Sequence, residues 1–151
     1  MPVKIESYSG PVDEGLWHLL LLADPKRSAI EGYLPNAALL VAYAQHRKVG
    51  VAVLTCNGEE YELKNIAVIA DQQRKGIARQ LIAAIKARAK SLGANSISVG
   101  TGNSSLGQLA LYQKTGFRIS GVRTDFFASY SPPIYENGIR CRDLVILTAT
   151  L

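Results

Sequence analysis

The chain is 151 residues long, 48% hydrophobic and 19% charged, with a formal net charge of +5 and a pI near 9.3. That length and balance describe a single globular domain and exclude a disordered chain; the charge favours an anionic partner without choosing among nucleotide, nucleic acid and acidic membrane. Cys56 and Cys141 stand far apart, with no CxxC and no His clustered nearby, so neither a zinc site nor a disulfide framework is signalled, and a reduced, cytoplasmic setting fits.

Val3 to Ser7 alternates like an edge strand, and Val12 to Ala23 and Pro25 to Leu34 read as two short helices. The apolar run LWHLLLLA, Leu16 to Ala23, follows acidic residues instead of a basic region. It is far shorter than the ~20 residues of a membrane span, so it is a buried helix and not a targeting element. Ala37 to Ala44, Val49 to Cys56 and Tyr61 to Ile69 read as strands of a meander, punctuated at Arg47-Lys48 and at Asn57-Gly58, a hairpin dipeptide whose two positions favour positive φ. Ile77, Leu81, Ile85, Ala89 and Leu92 keep helical spacing, and Gly93 stops that helix. A strand at Ser96 to Gly100, a helix at Ser105 to Lys114, and strands at Phe117 to Arg123 and Asp143 to Thr150 complete a mixed α/β pattern.

The stretch DQQRKGIAR, Asp71 to Arg79, joins the strand NIAVIA to the long helix. A strand that empties through a basic, glycine-containing turn into a helix leaves the first helical N–H groups unpaired around one spot, which suits an anion. Walker A would need GxxxxGK followed by Ser or Thr, which is absent; Gly100-Thr-Gly102-Asn-Ser-Ser105 misses the dinucleotide fingerprint at its last position. What remains is Gln73-x-x-Gly76-x-Ala78, where Gly76 lets the backbone approach closely, Ala78 leaves the amides open, and Arg74 and Lys75 add positive field.

With Glu62-Leu-Lys-Asn-Ile-Ala-Val68 before that loop and Leu111-Tyr-Gln-Lys-Thr-Gly-Phe117 after it, the chain resembles the GNAT superfamily of acetyl-CoA-dependent N-acetyltransferases. The resemblance covers nearly the whole chain. It implies a single domain over residues 1–151 with a mixed central sheet flanked by helices. It also implies acetyl-CoA as co-substrate, an amine acceptor and no metal. The amides of Gln73, Arg74, Lys75, Gly76, Ile77 and Ala78 would hold the diphosphate of coenzyme A, and Ala67 and Val68 would meet its pantetheine arm through the backbone. Relatives carry an Asn about seven residues before the helix Tyr; here that place is Ser105 and the Asn is Asn103, so either could contact pantetheine.

An amine of pKa about 10.4 is almost wholly protonated near neutrality, so a base is required. Glu62 lies six residues before Val68, an even separation that places both on the same side of the strand, and matches the glutamate of the histone-acetylating branch; Glu60 shares that side as the reserve. Tyr112 matches the family's general acid for the departing thiolate. In this fold the acceptor is framed by early helices and a late β-β connection, here Asp24 to Leu34 and Asp125 to Arg142. The latter contains Phe126, Phe127, Tyr130, Tyr135, Glu136 and Arg140. The basic residues are scattered and not gathered into a face, which argues against nucleic acid. No membrane partner is expected, and the resemblance allows a homodimer. The alternative is an acyl-CoA sensor that keeps the loop and lacks turnover.

Overall fold

The computed structural model describes residues 2–151, and the fold divides into two compact units, Met1–Ala94 and Asn95–Leu151. The first contains β1 (Lys4–Tyr8), α1 (Glu14–Ala23), α2 (Arg27–Tyr33), β2 (Ala38–Ala44), β3 (Arg47–Asn57), β4 (Glu60–Val68) and α3 (Ile77–Ser91). Its strands run β1-β2-β3-β4, each antiparallel to the next.

Local chemistry sets the boundaries. Asp13 starts α1 by accepting the Leu16 N–H at 2.9 Å, and its other oxygen takes the Lys48 ammonium at 2.6 Å. Those bonds hold the carboxyl below its ordinary value and fasten the start of β3 to the helix. The expected helix Pro25 to Leu34 is shorter, because Pro35 cannot donate an N–H to continue it; a 3₁₀ turn, Leu34–Asn36, follows instead. The β2–β3 turn is Gln45-His46, both at positive φ, and not Arg47-Lys48, which are already in β3. Asn57 likewise belongs to β3, and the next turn is Gly58-Glu59, with Gly58 at φ +67°.

Val49 to Leu54 is buried without alternation, since helices cover both faces of the sheet. A Cβ on Gly50 would meet Leu81 of α3 at 3.0 Å, which marks that face and explains the glycine. Asn65 reaches Leu20 of α1 and marks the other. Residues paired across a ladder share a face, and Gly50 pairs with Val68 while Val53 pairs with Asn65. Between Val53 and Leu54 the register slips by one residue at Lys64, a β-bulge that breaks the period of two. Glu62, opposite Thr55, therefore lies on the α1 face with Asn65, whereas Val68 lies on the α3 face. The shared side expected for Glu62 and Val68 is corrected by that extra residue.

The second unit holds β5 (Ser96–Gly102), α4 (Leu106–Lys114), β6 (Arg118–Arg123), β7 (Tyr135–Glu136), β8 (Ile139–Arg140) and β9 (Leu144–Thr150). Strand β9 lies between β5 and β6, antiparallel to both. Gly116 at φ +98° ends α4, letting the Phe117 N–H return to the Tyr112 carbonyl at 2.9 Å. The small β7–β8 hairpin turns on Asn137-Gly138, at φ +55° and +74°, so the primed Asn-Gly turn occurs here and not at Asn57-Gly58.

Candidate functional site

Strand β4 ends at Val68, a 3₁₀ turn spans Ala70–Gln72, and the chain then enters α3 through Gln73 to Gly76. The Gln73 side-chain amide donates to the Val68 carbonyl at 2.9 Å, so that side chain ties the loop to its strand. Arg74 and Gly76 take positive φ, +63° and +80°. Gly76 is the N-cap of the 15-residue α3 and no side chain caps that end among the described residues. The N–H groups of Ile77, Ala78 and Arg79 therefore lack helical partners at the positive end of the helix dipole. A Cβ on Gly76 would meet nothing within 4 Å, so the glycine is required by its left-handed backbone, and the space above it is open. The exposed Arg74 and Lys75 flank that space. A cleft of about 410 Å³ lined by Gln72, Lys75, Ile77 and Gln80 adjoins it.

On the α1 face of the same unit a polar cluster surrounds Glu62. Its carboxylate lies 3.7 Å from the Lys64 ammonium, with both side chains about two-fifths exposed, 39% and 41%. The Lys64 ammonium stands 5.8 Å from the centre of the Tyr33 ring on α2. Asn65, 3% exposed, donates from Nδ2 both to the Leu20 carbonyl and to the Tyr33 hydroxyl, each at 3.0 Å. The Leu20 carbonyl fixes which end of the amide is nitrogen, and it leaves Asn65 Oδ1 buried without a partner among the described residues, a cost of ~1–3 kcal/mol. Burial raises the Tyr33 pKa above its ordinary value; the Asn65 bond opposes this and the Asp24 carboxylate adds to it. Glu60 is exposed at the start of β4. Pattern in the sequence does not single out Tyr33, Lys64 and Asn65, although an Asn at the head of the apolar run NIAVIA is a usable signal, because a buried amide demands partners.

In the second unit, Asn103 and Ser105 are both engaged. Asn103 Oδ1 accepts the N–H groups of Arg142 at 2.8 Å and Asp143 at 3.0 Å, and Nδ2 donates to the Arg140 carbonyl at 3.1 Å. Ser104 and Ser105 donate to the same Glu136 oxygen, at 3.1 and 2.9 Å, and Asn137 donates to the Ser104 carbonyl at 2.9 Å. The turn after β5 is thus stitched to residues 136–143, and Asn103 acts there as a staple. Gly102 completes the join, since a Cβ would lie 2.5 Å from Cys141 Sγ.

Tyr112 packs edge-on against Phe117, ring centres 5.7 Å apart, and is 4% exposed. Burial pushes its pKa up to about 12. Phe127 stacks edge to face on Phe126 at 4.9 Å and on Tyr130 at 5.6 Å, so these aromatics pack on one another within the loop. Among the described residues no group of three or more His, Cys, Asp or Glu is placed to hold a metal, and no helix is long and apolar enough to cross a membrane.

The model of the acetyltransferase (GNAT) domain matches residues 35–119. An uncharacterized N-acetyltransferase of Bacillus subtilis, YvbK, is 45% identical over 147 residues, covering 96% of this chain and 94% of that protein. Among solved structures, a Bacillus subtilis acetyltransferase in complex with CoA superposes with a TM-score of 0.94 at 43% identity, over 99% of each chain. A GNAT family acetyltransferase of Elizabethkingia anophelis with acetyl-CoA bound gives 0.92 at 41% identity, over 99% of this chain and 98% of that one. The mixed α/β fold is that of these proteins, and the chain belongs to the GNAT acetyltransferase family.

Proposed function

We propose that the chain transfers the acetyl group of acetyl-CoA to a primary amine, acting as one domain over residues 1–151 in the cytoplasm. The observation that carries this reading is the uncapped start of α3 behind Gly76, with Arg74 and Lys75 beside it. Two relatives above 40% identity hold CoA or acetyl-CoA over almost the same length of chain. The amides from Arg74 to Ala78 fit a diphosphate, and Ala67 and Val68 supply the backbone that meets pantetheine. Ser105 already donates its proton to Glu136, so toward pantetheine it serves as an acceptor; the Asn103 amide is largely committed to residues 140–143.

Bound acetyl-CoA supplies an activated thioester, whose acetyl carbon ends bonded to the amine nitrogen and whose sulfur leaves as a thiolate. Glu62, directly or through a water, takes the proton that the amine must lose, with Glu60 in reserve. Tyr112 stays protonated through the neutral range. With its pKa near 12 against about 8.5 for a thiol, complete transfer to the sulfur would run uphill by ~5 kcal/mol. Its contribution is therefore mainly a hydrogen bond to the charge that develops on sulfur.

A panel of primary amines, assayed with acetyl-CoA for release of free thiol, tests the reading. At least one should be turned over. If acetyl-CoA binds and no amine releases thiol, the chain is an acyl-CoA sensor.

A further inference from the structure

The cluster on the α1 face has a charge pattern that selects an acceptor. Asn65 Nδ2 spends one hydrogen on the Leu20 carbonyl and the other on the Tyr33 oxygen. The Tyr33 hydroxyl therefore accepts from Asn65, and its own hydrogen must point elsewhere; no acceptor for it lies among the described residues. A buried amide that leaves its own Oδ1 unpaired is retained at a cost, and what it holds in place is that hydroxyl. The Lys64 ammonium, beside the Tyr33 ring, adds a cation to this donor. Glu62 supplies the opposite charge 3.7 Å from Lys64, and Asp24 acts on Tyr33 from the end of α1.

We propose that this cluster binds the acceptor, and that the acceptor carries a carboxylate beside its primary amine, as an α-amino acid does. The inference rests on the acetyltransferase reading and on Glu62 as its base. The acceptor's ammonium faces Glu62, while its carboxylate takes the Lys64 ammonium and the Tyr33 O–H. By taking Lys64 the carboxylate competes with Glu62 for its partner and leaves Glu62 to the amine. A polyamine or plain alkylamine offers only donors and cations, so nothing in it matches Lys64 and Tyr33. The balanced outcome is an N-acetyl amino acid, free CoA and one released proton: the ammonium nitrogen loses two, one passing through Glu62 to solvent and the other matching the one gained by sulfur.

Thiol release with phenylalanine against phenethylamine, and with leucine against 3-methylbutylamine, isolates the carboxylate. Rates are compared per unprotonated amine, in wild type, Tyr33→Phe, Lys64→Met and the double variant. Wild type should favour each amino acid by at least about tenfold in kcat/KM, and the double variant should lose most of that ratio. The ratio is the deciding readout, since a merely structural role for Tyr33 or Lys64 would lower both substrates together. Equal or better use of the plain amines, or a preference that neither substitution alters, overturns the proposal. If none of the four is turned over while another amine of the panel is, the acetyltransferase reading stands and the inference is overturned; if no amine at all is turned over while acetyl-CoA binds, the acetyltransferase reading fails by itself. Saturation-transfer NMR with phenylalanine then decides the inference: a transfer signal that wild type gives and Lys64→Met does not supports it, and the absence of any signal with wild type overturns it.

Discussion

Tyr112 shows how burial reshapes a chemical role. Its ring is packed on Phe117, and desolvation disfavours the phenolate, so between pH 10 and about 12 the folded protein keeps a proton that the unfolded chain has released. The stability this group contributes is thus complete below pH 10 and lost as the pH rises toward 12, by up to ~3 kcal/mol. Denaturant melts of wild type and Tyr112→Phe, each at about pH 8 and about pH 11, should show the variant losing less on the alkaline side. In catalysis, Tyr112→Phe should keep coenzyme A affinity and lose turnover toward the lower end of the ~10²–10⁴ range, because a hydrogen bond is removed and not a mandatory proton. Retained turnover would leave Tyr112 a packing residue. Glu62→Gln should cost ~10²–10⁴ in turnover near neutrality and progressively less as the pH approaches the amine's own pKa. A loss equal at every pH would assign Glu62 to positioning, and a full-rate variant would pass the role to Glu60 or water.

Among the elements, the β4–α3 loop depends on one backbone conformation more than on any side chain. Gln73 closes it onto Val68, and Gly76 at φ +80° turns the chain so that α3 presents its first amides to open space. Gly76→Glu should weaken coenzyme A binding by at least tenfold, about 1.4 kcal/mol, through backbone strain and through repulsion of the diphosphate. Gly76→Asn separates the two causes, because Asn tolerates the left-handed region and brings no charge; it should lose less than Glu in the same calorimetric titration. Full affinity in a folded Gly76→Glu variant would remove the loop from the site. In strand β4 the deciding feature is register. Its bulge at Lys64 puts Glu62 on the α1 face instead of the α3 face, beside the early helices that the family resemblance associates with the acceptor. That placement favours a base facing the amine.

For the molecule as a whole, the net charge of +5 acts on an anionic cofactor at long range. Raising the salt from about 0.02 to about 0.5 M shortens the screening length from ~20 to ~4 Å, so acetyl-CoA affinity should fall by about tenfold. Isothermal titration across that range checks it, and a salt-independent affinity would confine recognition to the loop amides.

The sequence by itself determined what repeats locally. The helical spacing of Ile77 to Leu92, the meander of strands, the basic glycine turn and the Tyr112 to Phe117 helix end were legible because propensity, period and turn chemistry depend on neighbours in the chain. Element ends shifted where one residue's conformation decided them, as at Pro35, Gly58 and the Gln45-His46 turn. Only the tertiary structure decided which face Glu62 occupies, since one extra residue at Lys64 inverts a strand's parity. It also decided that Asn103 is spent on residues 140–143, that Glu136 holds Ser105, and that Asn65 aims the Tyr33 hydroxyl. Those pairings join residues some 30 to 40 positions apart, and no periodicity encodes which distant partner satisfies a buried polar group.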